Sequence, residues 1–362
     1  MSEASVHGLG VGGLGQVPLS INPLKRKDFT SDQEVRWCPG CGDYAILSAV
    51  QALLPELGIA RENTVVVSGI GCSARFPYYV NSYGMHSIHG RALTIATGLA
   101  VTRPDLAIMV ATGDGDALSI GGNHLIHALR RNVNLTVVLF NNRIYGLTKG
   151  QFSPTSEIGK VTKSSPAGSL DTPVNAVSLA LGSEATFVAR SIDSDRAHLT
   201  SVLRAAFEHR GSSLVEIYQN CPIFNDGAWD QLTSPDAPDG EGVIKLEAGE
   251  PVLTPGGSFG VVQAPDGHLQ VKAVDEVGLE NVIVHDPGAD DPTRAFALSR
   301  ITDSGVMRRS PIGIFRSVER PSFDDLARQQ IATAEGGPAD SRDDKQTQLQ
   351  QLLAGDDPWT VS

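Results

Sequence analysis

The sequence predicts an α/β fold, a mostly parallel sheet flanked by helices, followed by a C-terminal appendage. Short runs such as Thr64–Ser68 are apolar or β-branched at nearly every position, the pattern of strands covered on both faces. Between them lie longer runs with the three-to-four-residue apolar period of helices. After Cys221 this alternation gives way to Pro/Gly/Asp-rich text with only short β-like runs.

In chain order, helices are expected over residues 44–57, 90–101, 121–131, 174–181 and 196–209. Strands are expected at 64–68, 106–112, 135–140, 185–189 and 213–218. These elements make residues 31–230 the main domain. Residues 1–30 lack periodicity and read as a mobile arm. Residues 231–320 form the appendage, with strands expected at 259–263, 269–273 and 282–285. Residues 321–362 are acidic and poor in apolar positions, so they read as a disordered tail. Within that tail, Leu349 to Leu353 with Trp359 is the stretch suited to docking on a partner.

Composition excludes several classes of function. The 362 residues contain four cysteines, too few for a secreted disulfide framework, and no apolar run approaches the roughly 20 residues a membrane helix needs. A cytoplasmic protein is expected. The net charge is −12, and residues 231–362 carry 22 acidic against 11 basic side chains. No basic stripe exists to displace counterions from a phosphate backbone, so nucleic acid is not an expected partner.

Two constellations carry chemistry. Cys38-Pro39-Gly40-Cys41, Cys72 in a Gly-rich loop after a strand, and Cys221 just past another strand use every cysteine in the chain. Four thiolates suit zinc or an iron–sulfur cluster, and the ligand count alone leaves both open. The second constellation is Gly113-Asp114-Gly115-Asp116 with Asn141-Asn142, at the ends of neighbouring strands. Glycines permit the tight turn, and a helix starting near Ser119 or Gly121 would aim its amides at an anion. Asp114 and Asn142 can then share one hard cation such as Mg²⁺ with diphosphate oxygens. His124 and His127 lack a third ligand and are not expected to bind metal.

The second constellation resembles the diphosphate-binding motif of thiamine-diphosphate enzymes. Joined to Cys38-x-x-Cys41, Gly71-Cys72-Ser73, His89-Gly90-Arg91 and Tyr145-Gly146-Leu147-Thr148, it resembles the β subunit of a two-subunit 2-oxoacid:ferredoxin oxidoreductase. The resemblance covers about residues 30–230, and the long C-terminal region is similar to the 2-oxoglutarate type of actinobacteria. It implies the thiamine-diphosphate-binding fold and a [4Fe–4S] cluster on Cys38, Cys41, Cys72 and Cys221. Mg²⁺ falls to Asp114, Asn142 and the carbonyl of Ile144. Thiamine diphosphate falls to Ile70, Gly71, Ser73, His89, Gly113, Gly115, Asp116, Gly146 and Leu147. Arg75 occupies the position of a basic residue for coenzyme A, and Arg75 and His89 are the implied catalytic side chains. Arg75, Arg91 and Lys149 are candidate clamps for a second substrate carboxylate.

The implied reaction is oxidative decarboxylation of 2-oxoglutarate with coenzyme A to succinyl-CoA and CO₂, with electrons leaving through the cluster to ferredoxin. Pyruvate is the alternative substrate. A non-redox thiamine-diphosphate decarboxylase is a further alternative, although it would have no use for the cysteines. Thiamine enzymes also need a glutamate on a pyrimidine-binding domain, for which this chain has no counterpart. An α subunit is therefore expected, in an (αβ)₂ assembly. Trp37 and Phe76 are expected to shield the cluster from water.

Overall fold

The β-branched runs assemble into one sheet because each can be buried on both faces. The computed structural model describes residues 8–302, 307–334 and 342–355. Its strands are β1 (Thr64–Ser68), β2 (Tyr83–His86), β3 (Ala107–Gly113), β4 (Leu135–Asn141), β5 (Ile144–Tyr145), β6 (Gln151–Phe152), β7 (Phe187–Ile192), β8 (Ser212–Tyr218), β9 (Gly242–Leu246), β10 (Phe259–Gln263), β11 (Leu269–Ala273) and β12 (Arg309–Ser317). Its helices are α1 (Asp43–Glu56), α2 (Phe76–Tyr79), α3 (Ala92–Thr102), α4 (Asp114–Leu118), α5 (Gly122–Arg131), α6 (Ala176–Gly182), α7 (Arg196–Glu208), α8 (Asp230–Thr233), α9 (Val274–Val277), α10 (Thr293–Ser299), α11 (Phe323–Ala334) and α12 (Arg342–Ala354).

The main sheet has the order β2-β1-β3-β4-β8-β7-β12-β9, and every pairing is parallel except β12 against β7. Alternation along each strand divides the core in two. Val65, Val67, Ile108, Val110, Val137 and Leu139 face a layer that includes Leu93 of α3, Leu125 and Leu129 of α5 and Val177 of α6. Val66, Met109, Val138 and Phe140 face the opposite layer, with Ile46 and Leu53 of α1 and Leu199 and Leu203 of α7. Two small hairpins, β5-β6 and β10-β11, stand outside the sheet.

Several expectations are corrected. Residues 8–30 are not a loose arm: Leu14, Val17 and Phe29 are buried, and Gly12 lies so close to α7 that a Cβ there would come within 1.9 Å of the Glu208 carbonyl. Isolated apolar residues need no periodicity to pack as irregular chain. The appendage is not separate from the sheet, because β9 and β12 extend it. The strand expected at 282–285 is an extended segment held by single bridges to Pro251 and Val262.

The acidic C-terminal region is not structureless throughout, because α11 docks on the molecule. Asp324 is buried and accepts from the Asn134 amide at 3.0 Å, while Arg328 donates to the Ala100 and Val101 carbonyls at the end of α3. Charged side chains of the segment that reads as a disordered tail are used here to satisfy backbone groups. Leu349, Leu352 and Leu353 are exposed on α12, and Trp359 lies outside the described residues. No helix among the described residues is long and apolar enough to cross a membrane.

Candidate active site

The carboxyl ends of β1, β3 and β4 surround a cavity of about 240 Å³. This is the crevice where parallel sheets place their ligands. Of the residues expected around the coenzyme and its metal, Ile70, Gly71, Ser73, His89, Gly113, Asp114, Gly115, Asp116, Asn142, Ile144, Gly146 and Leu147 all line it. Gly71 makes the turn after β1 with φ +91°, a conformation that side chains disfavour. Gly115 is required for a different reason. The Tyr145 ring lies over it, so an added Cβ would come within 2.2 Å of that ring, and the Tyr145 hydroxyl donates to the Gly115 carbonyl at 2.8 Å.

The helix expected to start near Ser119 or Gly121 is α5, with Gly121 at its N-cap, and a separate short helix, α4, begins directly at Asp114. The start of α5 is covered by Gly90, whose own Cβ would sit 2.5 Å from the Gly121 nitrogen, so its amides do not line the cavity. Asp116 lines the cavity but is used within the protein. It accepts from the Gly90 amide at 2.7 Å and from Thr112 Oγ1 at 3.0 Å, and a Cβ added at Gly69 would come within 1.7 Å of its Oδ2 and force the carboxylate to move.

Asp114 is buried, and its Oδ2 accepts from Ser153 Oγ at 2.6 Å and Thr155 Oγ1 at 2.5 Å. Burial raises its pKa to about 6, with these two hydroxyls opposing the rise. Asn142 Oδ1 accepts from the Ile144 amide at 3.1 Å, and Asn225 Nδ2 donates to the Asn142 carbonyl at 2.9 Å. Between them Arg143 adopts a left-handed φ of 58°, held because Ser156 Oγ donates to its carbonyl and its own amide donates to Asn141 Oδ1. Such a conformation costs roughly 1–2 kcal/mol in a non-glycine residue. Here it turns the chain at the end of β4 so that Asn142 and Ile144 both reach the cavity.

A second cavity, about 210 Å³, is lined by Cys38, Cys41, Cys72 and Cys221 together with Arg75 and Lys149. None of the four is in a disulfide. Cys72, Asn142, Gly146 and Leu147 line both cavities, so one wall separates them. Burial pushes the Cys72 thiol up to about 12, with the Asp43 carboxylate and the neighbouring cysteines adding to the rise; Cys41 is raised for the same reasons. Trp37 and Phe76 are buried beside this wall, and Trp37 Nε1 donates to the Cys72 carbonyl at 2.8 Å. Arg75 Nε donates to the Tyr79 hydroxyl at 2.9 Å. Arg91 lines neither cavity, and His86 lies 3.1 Å from Ser68 Oγ.

Two sets of residues at the site escaped sequence reasoning. Ser153 and Thr155 arrive from the far side of the β5-β6 hairpin. Asp43, which opens α1 directly after the cysteine pair, is fully buried, and neither oxygen meets a nitrogen or hydroxyl donor. Burial lifts its pKa to about 7, the Cys41 thiol moderating the rise. A carboxylate two residues past a Cys-x-x-Cys was a visible signal; hydroxyls folded back by a hairpin were not.

Comparison with known proteins gives this geometry a family. Residues 69–217 match the thiamine pyrophosphate enzyme C-terminal TPP-binding domain. The chain is 60% identical over 346 residues to the 2-oxoglutarate oxidoreductase subunit KorB of Mycobacterium tuberculosis, covering 95% of this chain and 91% of that one. It is 38% identical over 279 residues to the 2-oxoacid:ferredoxin oxidoreductase 1 subunit beta of Aeropyrum pernix, covering 77% and 76% of the two chains. The chain belongs to the β subunits of the 2-oxoacid:ferredoxin oxidoreductases. Among solved structures it is similar to a 2-oxoglutarate:ferredoxin oxidoreductase from Magnetococcus marinus with 2-oxoglutarate, coenzyme A and succinyl-CoA bound. The TM-score is 0.72 at 33% identity, over 92% of this chain and 99% of that one. These relatives are named as subunits, so a partner subunit is implied, and the matched domain is described as the one that binds TPP.

Proposed function

We propose that this chain, with an α subunit, oxidatively decarboxylates 2-oxoglutarate, transfers the succinyl group to coenzyme A, and passes the electrons through a [4Fe–4S] cluster to ferredoxin. One observation carries the proposal: the coenzyme cavity and the four-cysteine cavity share the wall made by Cys72, Asn142, Gly146 and Leu147. The names of the 60% identical relative and of the structural neighbour, both 2-oxoglutarate enzymes, support the choice of substrate.

The residues present fit the groups assigned to them. Asp114, Asn142 and the Ile144 carbonyl supply three oxygen donors suited to Mg²⁺, which would anchor the diphosphate. Bound thiamine diphosphate supplies the electron sink for decarboxylation. The cysteines suit a cluster better than zinc. Zinc would draw four sulfurs to about 2.3 Å from one point, whereas among the described residues no three His, Cys, Asp or Glu side chains converge on a single-ion site. Burial and mutual repulsion hold the Cys41 and Cys72 thiols protonated, so ionising them calls for a positive centre between them.

His89 is exposed at the rim of the coenzyme cavity, where it would meet substrate or coenzyme. Arg75 and Lys149 line the cysteine side of the shared wall, where they would meet the anionic groups of coenzyme A or the second carboxylate. The α subunit has a natural seat: β2 is an edge strand exposing Tyr83 and Met85, and Tyr78, Ile88 and Ile120 are also exposed. It would contribute the coenzyme-activating glutamate and complete an (αβ)₂ assembly. Four cysteines kept as thiols suit the reducing cytoplasm.

The test is anaerobic co-purification with the accompanying subunit, followed by iron, sulfide and thiamine quantification and a coenzyme-A-dependent viologen assay with 2-oxoglutarate. Asp114→Ala is expected to lose the coenzyme and keep its iron; Cys221→Ser is expected to lose the cluster. Robust turnover by this chain alone, or zinc in place of iron, would overturn the proposal.

A further inference from the structure

Behind Asp114 runs a buried polar chain that crosses the sheet toward its C-terminal strands. Arg190 on β7 and Glu216 on β8 form an ion pair at 2.6 Å with side chains only 2% and 3% exposed. Glu216 Oε1 accepts from Asn141 Nδ2 at 2.7 Å. Fixing the amide nitrogen on Glu216 turns Asn141 Oδ1 toward Thr155 Oγ1, 2.9 Å away. The Thr155 hydroxyl lies between Asn141 Oδ1 and Asp114 Oδ2 and shares its proton with both, while Ser153 brings the carboxylate a donor of its own. At the other end, Arg190 Nη1 donates to Ser310 Oγ and to the Pro311 carbonyl of β12, each at 3.2 Å. None of these residues except Asp114 lines the coenzyme cavity.

We infer that Thr155, held by the Asn141–Glu216–Arg190 chain and assisted by Ser153, is a positioning residue that fixes the rotamer of Asp114, so that coenzyme binding at the ends of β3 and β4 depends on β12, three strands along the sheet from β4. The inference rests on the reading of Asp114 as a magnesium ligand. With Oδ2 occupied by two hydroxyls, the carboxylate cannot swing away from the cavity, and the orientation needed for the cation is set before the cation arrives. It also gives the C-terminal region a role, since β12 closes the far end of the chain.

The experiment uses the co-purified complex, stripped of coenzyme and titrated calorimetrically with thiamine diphosphate at fixed Mg²⁺, with iron content and thermal melting recorded alongside. Thr155→Val is expected to bind the coenzyme roughly ten- to a hundredfold more weakly, the loss typical when a charged acceptor loses a buried donor. Thr155→Ser is expected to restore binding to within about threefold, and excess Mg²⁺ is expected to recover much of the affinity lost in Thr155→Val. Arg190→Met combined with Glu216→Leu keeps the core apolar and folded, yet is expected to bind weakly because Asn141 is released. Wild-type affinity in Thr155→Val, equal weakness in Thr155→Ser, or wild-type affinity in the double variant would each overturn the inference. Failure of the wild-type complex itself to bind magnesium and coenzyme would overturn the underlying reading of Asp114 instead.

Discussion

Replacing Arg190 with methionine tests whether the polar chain under the site is structural ballast or a constraint. The guanidinium is 2% exposed, pairs with Glu216 at 2.6 Å, donates to Ser310 and Pro311, and lies 5.1 Å from the Tyr218 ring centre and 5.4 Å from that of Phe315. Its removal leaves a buried carboxylate with the Asn141 amide as its remaining donor. Stranding one partner of a buried pair costs about 3–5 kcal/mol. At roughly 2 °C of melting temperature per kcal/mol for a chain of this size, the Arg190→Met protein should melt about 6–10 °C lower. Adding Glu216→Leu removes the stranded charge and should recover most of that loss, because an apolar pair of similar volume commonly matches a buried ion pair. Urea unfolding and thermal melts of the wild type, the single and the double variant provide the comparison. A single variant within about 1 kcal/mol of wild type, or a double variant less stable than the single, would refute the reasoning.

Two further perturbations report on other parts of the molecule. Gly115→Ala drives a methyl into the Tyr145 ring, so it should cost about 1–3 kcal/mol by overpacking and weaken coenzyme binding; unchanged melting and binding would show that the ring moves freely. Burial holds the His209 pKa down at about 4, against an ordinary value of 6.5, with its Nε2 2.8 Å from Thr186 Oγ1. The unfolded chain therefore takes up this proton at higher pH than the folded one. The stability contributed by this neutral histidine is complete above pH 6.5 and is lost as pH drops from 6.5 to 4, by about 3 kcal/mol in all. His209→Gln should flatten that limb of a stability-against-pH curve, and an unchanged slope would assign the acid sensitivity elsewhere.

The parts of the fold that were legible are those where one interaction dominates. Thr64–Ser68, Phe259–Gln263 and Leu269–Ala273 coincide with the strands expected, because a short β-branched or apolar run between turn residues has few other uses. β12 was not legible: Pro311 and Gly313 are residues that strands usually avoid, Arg316 is a buried charge, and polar partners far away in sequence hold the strand in the sheet. β2 was missed because it is an edge strand exposed along its whole length. Most of the expected site residues are gathered around two adjoining cavities because they sit in loops leaving strand ends, which the topology of a parallel sheet delivers to one rim, whereas Cys38 and Cys41 come from the segment before α1. Ser153 and Thr155 have no such rule. Their place follows from a hairpin whose strands are two residues each and from the left-handed Arg143, which no apolar period reveals.

This contrast explains why the site is built on buried polar groups rather than on the apolar core around it. Close packing fixes the strands, but it discriminates poorly between rotamers of a small carboxylate whose neighbours are backbone and cavity. Hydrogen bonds are directional, and in a desolvated setting a misdirected donor is costly. On the proposed reading Asp114 needs such direction, because burial already favours its neutral form whereas a cation would require it charged. The two hydroxyls on Oδ2 oppose that drift, and they are themselves fixed by Asn141 and Ser156. The same requirement accounts for an ion pair retained beneath them: Glu216 can hold the Asn141 amide in one orientation only while Arg190 balances its charge. An apolar substitute would stabilise the sheet equally well and leave Asp114 free to turn.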